Sequence, residues 1–187
     1  ESGEIHTNYE TTADFVDIMD SLGLVKSEVT TATTIVARTN VDNVWAVGDV
    51  TNRVQLTPVA IHEAMCFLET AFKDNPTEPD YKTIPTAVFS QPEIGTVGLT
   101  EHQAAEKYEE LEVYRASFRP MHNILPGRDE KMLMKLIVDA ASRVVVGAHI
   151  IGPGAGEMSQ LLGISLKARC TKDDFDATMA VHPTAAE

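Results

Sequence analysis

The fold class that this sequence predicts is α+β, a mostly antiparallel sheet flanked by helices, and three observations carry it. Residues 132–138 (Met132-Leu133-Met134-Lys135-Leu136-Ile137-Val138) and 144–151 are β-rich runs flanking Asp139-Ala140-Ala141-Ser142-Arg143, which is the form of a hairpin and so of antiparallel pairing. Three more strand-like runs, 86–90, 94–99 and 111–118, precede them, set off by turn residues. A polar, proline-bearing stretch at 73–81, with Asp74-Asn75-Pro76 and Glu78-Pro79-Asp80, separates these strands from a helical N-terminal part. A domain boundary is placed there, giving residues 1–80 and 81–187.

Composition bounds the function. At 187 residues, with 43% hydrophobic and 23% charged side chains, the chain holds one good core or two small ones. Its 15 basic against 28 acidic residues give a net charge of −13, which argues against nucleic acid or an anionic membrane as the main partner and leaves small molecules and proteins. No apolar run reaches the length of a membrane span, and Glu1-Ser2-Gly3-Glu4 has neither the basic start nor the apolar segment of a signal peptide, so a cytoplasmic location is expected. Two cysteines, Cys66 and Cys170, are too few for a disulfide framework and too far apart for a Cys-x-x-Cys motif; they read as buried free thiols on helices.

Taken in order, residues 1–34 are acidic and threonine-rich, with one apolar cluster (Phe15, Val16, Ile18, Met19, Leu22, Leu24) that predicts a short helix ending at Gly23. Residues 38–43 read as a turn and Val44-Trp45-Ala46-Val47 as a short buried strand stopping at Gly48-Asp49. Glycine lets a ligand approach the backbone, and a carboxylate at the C-terminal end of a buried strand can accept hydrogen bonds from sugar-like hydroxyls; alternatively, Asp49 caps the following loop. Thr57 is an N-cap candidate with Pro58 at the first helical position, opening a helix to 72. The free N–H groups and positive dipole end of that helix suit an electron-rich oxygen of a cofactor.

After the linker, Thr100-Glu101-His102-Gln103 has the capping-box form and opens a helix to about 109. Gly152-Pro153-Gly154-Ala155-Gly156 resembles a phosphate loop only superficially, since it lacks the P-loop lysine and the Gly-x-Gly-x-x-Gly spacing, and it reads as a strand-to-helix turn. The helix it feeds, 157–168, is apolar almost all round and is therefore buried on more than one side, in a core or against another subunit. Thr171 caps a short acidic helix at 172–177. The chain then reaches His182-Pro183-Thr184-Ala185-Ala186-Glu187, a histidine and a carboxylate five residues apart. Proline holds His182 in extended backbone before a helix begun at Thr184, from which Glu187 can reach one imidazole nitrogen and leave the other for proton transfer. Spacing alone equally describes a capping or surface pair.

Several of these stretches together resemble the flavin-dependent pyridine nucleotide–disulfide oxidoreductases, and most closely their glutathione-reducing branch. They are Thr39-Asn40-Val41, Ala46-Val47-Gly48-Asp49-Val50, Leu56-Thr57-Pro58-Val59-Ala60-Ile61, the run 84–99, Lys172-Asp173-Asp174-Phe175 and His182-Pro183-Thr184. The resemblance implies that residues 1–80 are the C-terminal remnant of a Rossmann-like FAD domain and 81–187 a dimerisation, or interface, domain. It implies FAD contacts from Asp49, with its neighbour Gly48, and from the Thr57-Pro58 helix start. His182 matches the acid/base that protonates the thiolate leaving group, and Glu187 the carboxylate that orients it, acting across a two-fold interface of a homodimer on glutathione disulfide. NADPH would be the reductant, but its glycine fingerprint and the family's Cys-x4-Cys are not in these residues, so the chain alone is expected to be inactive, a non-catalytic dimerisation module. Residues 1–34 match poorly apart from Leu22-Gly23-Leu24, which leaves a gap, a truncation or an unrelated leader open. Some members carry an arginine for a substrate carboxylate where this chain has Met65, preceded by Glu63. The trypanothione-reducing branch is the nearest competitor, through Met121-His122-Asn123; dihydrolipoamide dehydrogenases usually carry an extra histidine where this chain has Val181.

Overall fold

The computed structural model describes residues 38, 39, 41 and 43–187, so the helix expected before Gly23 lies outside the described residues. The described chain falls into two compact units, the first ending at Pro79 and the second comprising Asp80–Glu187.

In the first unit, the strand expected at 44–47 does not form. Trp45 makes only an isolated antiparallel bridge to Arg38, and residues 44–47 are half-buried. A strand needs a run of paired neighbours; here Val44 instead closes a tight turn, donating its N–H to Val41 O at 3.2 Å and accepting from Thr39 N–H at 3.1 Å. A 3₁₀ turn, Gly48–Thr51, follows and leads to helix α1, Thr57–Phe72. Phe67 on that helix anchors Trp45 (ring centroids 4.9 Å apart, tilted) and meets Phe72 edge-on at 5.6 Å.

The second unit is the expected α+β structure. Strands β1 (Thr86–Val88), β2 (Ile94–Gly98), β3 (Leu111–Phe118), β4 (Met132–Asp139) and β5 (Val145–Ile151) form one sheet of order β1-β2-β5-β4-β3, and every pairing is antiparallel. The hairpin read from the sequence is β4–β5, closed by Arg143 N–H to Asp139 O at 2.8 Å, with Arg143 at φ 64°. Helix α2 (Glu101–Ala105) is shorter than expected. Its capping box is complete, with Gln103 N–H on Thr100 Oγ1 at 3.2 Å and Gln103 Oε1 accepting from Thr100 N–H at 3.0 Å. A single-turn helix α3 (Met121–Ile124) connects β3 to β4.

The run 152–156 is indeed a strand-to-helix turn: Gly154, at φ 74°, is the N-cap of helix α4, Ala155–Lys167. This helix lies on the sheet because two glycines let it come close. A Cβ on Gly95 would stand 2.2 Å from the Ala155 carbonyl oxygen, and one on Gly163 would stand 2.4 Å from Pro85 Cγ. Where the helix meets the sheet, its Leu166 joins Val97, Val138, Val145 and Ala148 in one apolar cluster, and its Ala155 joins Met132 and Ile150 in a second. Within its own chain α4 is buried on one side: Ala155, Ser159, Gly163 and Leu166 are buried, whereas Leu161 and Ile164 are 65% and 62% exposed. Helix α5, Lys172–Ala177, closes the fold.

Candidate functional site

The C-terminal pair is positioned by α5. Thr171 Oγ1 accepts the Asp174 N–H at 3.2 Å while Asp174 Oδ2 accepts the Thr171 N–H at 2.7 Å, fixing where the helix starts. The sheet holds this start in place, with Val145 N–H on Cys170 O at 3.0 Å and Lys172 N–H on Arg143 O at 2.8 Å. Arg143 also bonds Asp173 at 3.0 Å and pairs with Glu112, and Lys172 sits 4.5 Å over the Tyr114 ring. At the other end, Thr178 leaves the helix in an extended conformation, and residues 179–181 carry the chain outward to His182.

No helix begins at Thr184, contrary to expectation. After the cis His182–Pro183 peptide the chain turns, and Ala185 packs against the cluster of Met132, Ile150 and Ala155. That anchor brings Glu187 back to His182, whose Nδ1 lies 2.8 Å from Glu187 Oε2. A carboxylate only accepts, so the proton of this bond sits on Nδ1 and Nε2 is left for exchange with a substrate. The imidazole is 72% exposed and the carboxylate 33%. Glu187 also borders two shallow hollows of about 350 and 390 Å³, which share Ser165 and Phe175 in their walls.

The second group of expected site residues lies in the first unit. Gly48 is buried at φ 73°, pressed against α1 so closely that a Cβ would stand 3.0 Å from Ala60 Cβ. Asp49 is exposed, and among the described residues its carboxylate has no hydrogen bond or ion pair; only its backbone oxygen is used, by Asn52 N–H at 2.9 Å. It therefore does not cap the loop through its side chain and can accept hydrogen bonds from a ligand's hydroxyls. Thr57 is not the N-cap. Leu56 is, because its carbonyl takes the first bonds, from Val59 N–H at 3.0 Å and Ala60 N–H at 3.1 Å, which places Thr57 and Pro58 inside the first turn. Both are exposed at the helix's positive end.

One buried carboxylate beside these residues is given no role by the sequence reading. Glu63 of α1 is 1% exposed, and it accepts the Gly48 N–H on Oε2 at 2.5 Å with Arg53 Nη1 4.0 Å from Oε1. Met65, 57% exposed, stands on the outer side of the same helix. Cys66 is a poor nucleophile: it is buried on α1, where burial first and the Glu63 charge second push its thiol up. Cys170 is half-buried in the loop before Thr171 rather than on a helix.

Residues 84–187 match the family described as pyridine nucleotide-disulphide oxidoreductase, dimerisation domain, and the chain belongs to that family. Among curated proteins it is similar to a glutathione reductase, chloroplastic/mitochondrial, of Pisum sativum (53% identity over 151 residues, 81% of this chain and 27% of that protein). It is also similar to a glutathione reductase of Burkholderia cepacia (51% over 151 residues, 81% of this chain and 34% of that protein). A trypanothione reductase of Leishmania donovani aligns at 39% over 202 positions, 100% of this chain and 41% of that protein, so the similarity runs through residues 1–34 as well. The chain thus spans between 27% and 41% of the length of these relatives. Among solved structures, the HOCl-induced flavoprotein disulfide reductase RclA from Escherichia coli shares the fold, with a TM-score of 0.75 over 90% of this chain and 39% of that one at 23% identity.

Proposed function

We propose that the protein carrying this chain is a homodimeric, FAD- and NADPH-dependent reductase of glutathione disulfide, in which residues 81–187 are the dimerisation domain and residues 1–80 the end of the FAD-binding domain. The observation that carries the reading is the His182–Glu187 pair at 2.8 Å, placed at the end of a domain of the disulfide-reductase family. In this reading His182 Nε2 gives its proton to the sulfur that leaves when the substrate disulfide is broken. A thiol is a far better leaving group than a thiolate, and an imidazole exchanges protons readily near neutral pH. Glu187 keeps the ring in one tautomer and stabilises the imidazolium between exchanges. The openness of His182 on its own chain suits a group offered to a site completed by a second subunit.

The residues of the first unit fit a flavin. Asp49 presents an unengaged carboxylate suited to the ribityl hydroxyls, and the exposed start of α1 presents positive potential suited to an electron-rich ring oxygen. FAD would relay electrons from NADPH to the redox disulfide. Cys66 and Cys170 are free thiols and do not have the Cys-x4-Cys spacing of that disulfide, so in this reading the chain needs the rest of its protein for turnover.

Glutathione disulfide is favoured over trypanothione disulfide by the 51–53% identity to the two glutathione reductases over 151 residues, against 45% over 152 residues to a trypanothione reductase of Trypanosoma congolense. The cytoplasm is the expected location, and among the described residues no helix is long and apolar enough to cross a membrane. The test is NADPH oxidation by the purified full-length gene product with each disulfide in turn. Higher kcat/KM for glutathione disulfide supports the reading; a preference for trypanothione disulfide moves it to the second branch, and no turnover with either refutes it.

A further inference from the structure

Glu63 is a charged side chain that the proposed chemistry does not use, yet at 1% exposure it is buried as deeply as Met132 and Val97 of the apolar core. Burying a carboxylate is costly unless its oxygens are met by donors, and an apolar side chain of similar volume would fill the same space without that cost. What the carboxylate adds is direction. Oε2 takes the Gly48 N–H at 2.5 Å, at the entrance of the Gly48–Thr51 turn, and Oε1 faces Arg53 Nη1 at 4.0 Å, just past its exit. One side chain of α1 therefore holds both flanks of the turn that presents Asp49. Among the described residues the rest of the turn is tied to itself, by Thr51 Oγ1 on Gly48 O at 2.7 Å and Asn52 N–H on Asp49 O at 2.9 Å. Contact between Gly48 and Ala60 sets how close the turn lies, but only Glu63 gives it a directed bond to the helix among the hydrogen bonds described.

We propose that Glu63 is a positioning residue for cofactor binding, clamping Gly48 and Arg53 so that the Asp49 carboxylate meets the hydroxyls of the flavin's sugar-like chain. This rests on the reading of Asp49 as a flavin contact. Glu63 touches no ligand itself; it acts through Asp49, and the two residues are energetically coupled.

The test is a double-mutant cycle in the full-length gene product, stripped of flavin and titrated with FAD by the quenching of flavin fluorescence. Glu63→Gln keeps the shape and one acceptor but loses the charge that strengthens the Gly48 bond and attracts Arg53, and should raise the FAD Kd about tenfold. In an Asp49→Ala background the same change should add less than about twofold, because the group it orients is gone. An unchanged Kd for Glu63→Gln, or full additivity with Asp49→Ala, overturns the proposal. A merely structural role would lower the thermal midpoint of the flavin-free protein and leave Kd unmoved, which also overturns it. If Asp49→Ala alone leaves Kd unchanged, the reading of Asp49 fails and the proposal falls with it; if Asp49→Ala weakens binding and Glu63→Gln does not, only the proposal falls.

Discussion

A histidine that is 72% exposed would ordinarily swing freely, but the imidazole of His182 is tied at Nδ1 to a carboxylate whose own backbone is docked through Ala185. Removing the tether should cost rate rather than fold. Glu187→Ala in the full-length protein is expected to lower kcat for disulfide reduction roughly 10-fold to 100-fold with little change in the thermal midpoint, checked by steady-state kinetics and a melting curve. Asp80 shows a different use of a carboxylate. A hydrogen bond from Lys167, then those from the Lys82 N–H and the Thr83 hydroxyl, hold it at about 2, below its usual 3.8. Its folded value is depressed, so its contribution is complete above about pH 4 and disappears as pH falls toward 2. Asp80→Asn should therefore destabilise the second unit by about 1 kcal/mol or less at pH 7, since the pair is partly exposed, and most of that difference should be gone near pH 2, as urea titrations at the two pH values would show. The His182–Glu187 pair was legible as a spacing in the sequence, although the helix imagined to deliver Glu187 does not exist. Glu63 was not legible, because a glutamate in a helix reads as a solvated residue until the amide it meets, Gly48, is brought in from fifteen residues away.

Among elements, what the sequence disclosed was what local chemistry decides. The β4–β5 hairpin, the capping box at Thr100 and the cap at Thr171 depend on residues within a few positions of each other, and all are present. What it concealed depends on distant partners. Residues 44–47 have the composition of a strand but only Arg38 to pair with among the described residues, and the length of α2 is limited by a turn at 106–107 rather than by any breaker in the sequence. The seat of α4 is also non-local, and it is demanding. Gly95→Ala would drive a methyl into the Ala155 carbonyl, a backbone atom at 2.2 Å that cannot swing away, whereas the nearest atom to a Gly156→Ala methyl is Ala87 Cβ at 3.3 Å, followed by the Phe89 ring at 3.5 Å. The first should cost about 2–3 kcal/mol and the second under about 1 kcal/mol in chemical denaturation, and equal costs would contradict the seating described.

For the molecule as a whole, the apolar side of α4 is the feature that a single chain does not account for. Leu161 and Ile164 lie open on a domain of a family defined by dimerisation. If this face joins two subunits, Leu161→Arg with Ile164→Arg should convert the full-length protein to monomers in analytical ultracentrifugation and abolish disulfide reduction with it, since His182 would have no partner site to serve. The central claim is that His182 is the proton donor of a flavin-dependent disulfide reductase, and the most direct measurement separates the two halves of turnover in a His182→Gln variant of the full-length protein. Stopped-flow absorbance should show the flavin reduced by NADPH at the wild-type rate, while turnover with glutathione disulfide falls roughly 10²-fold to 10⁴-fold. Wild-type turnover in that variant would contradict the account.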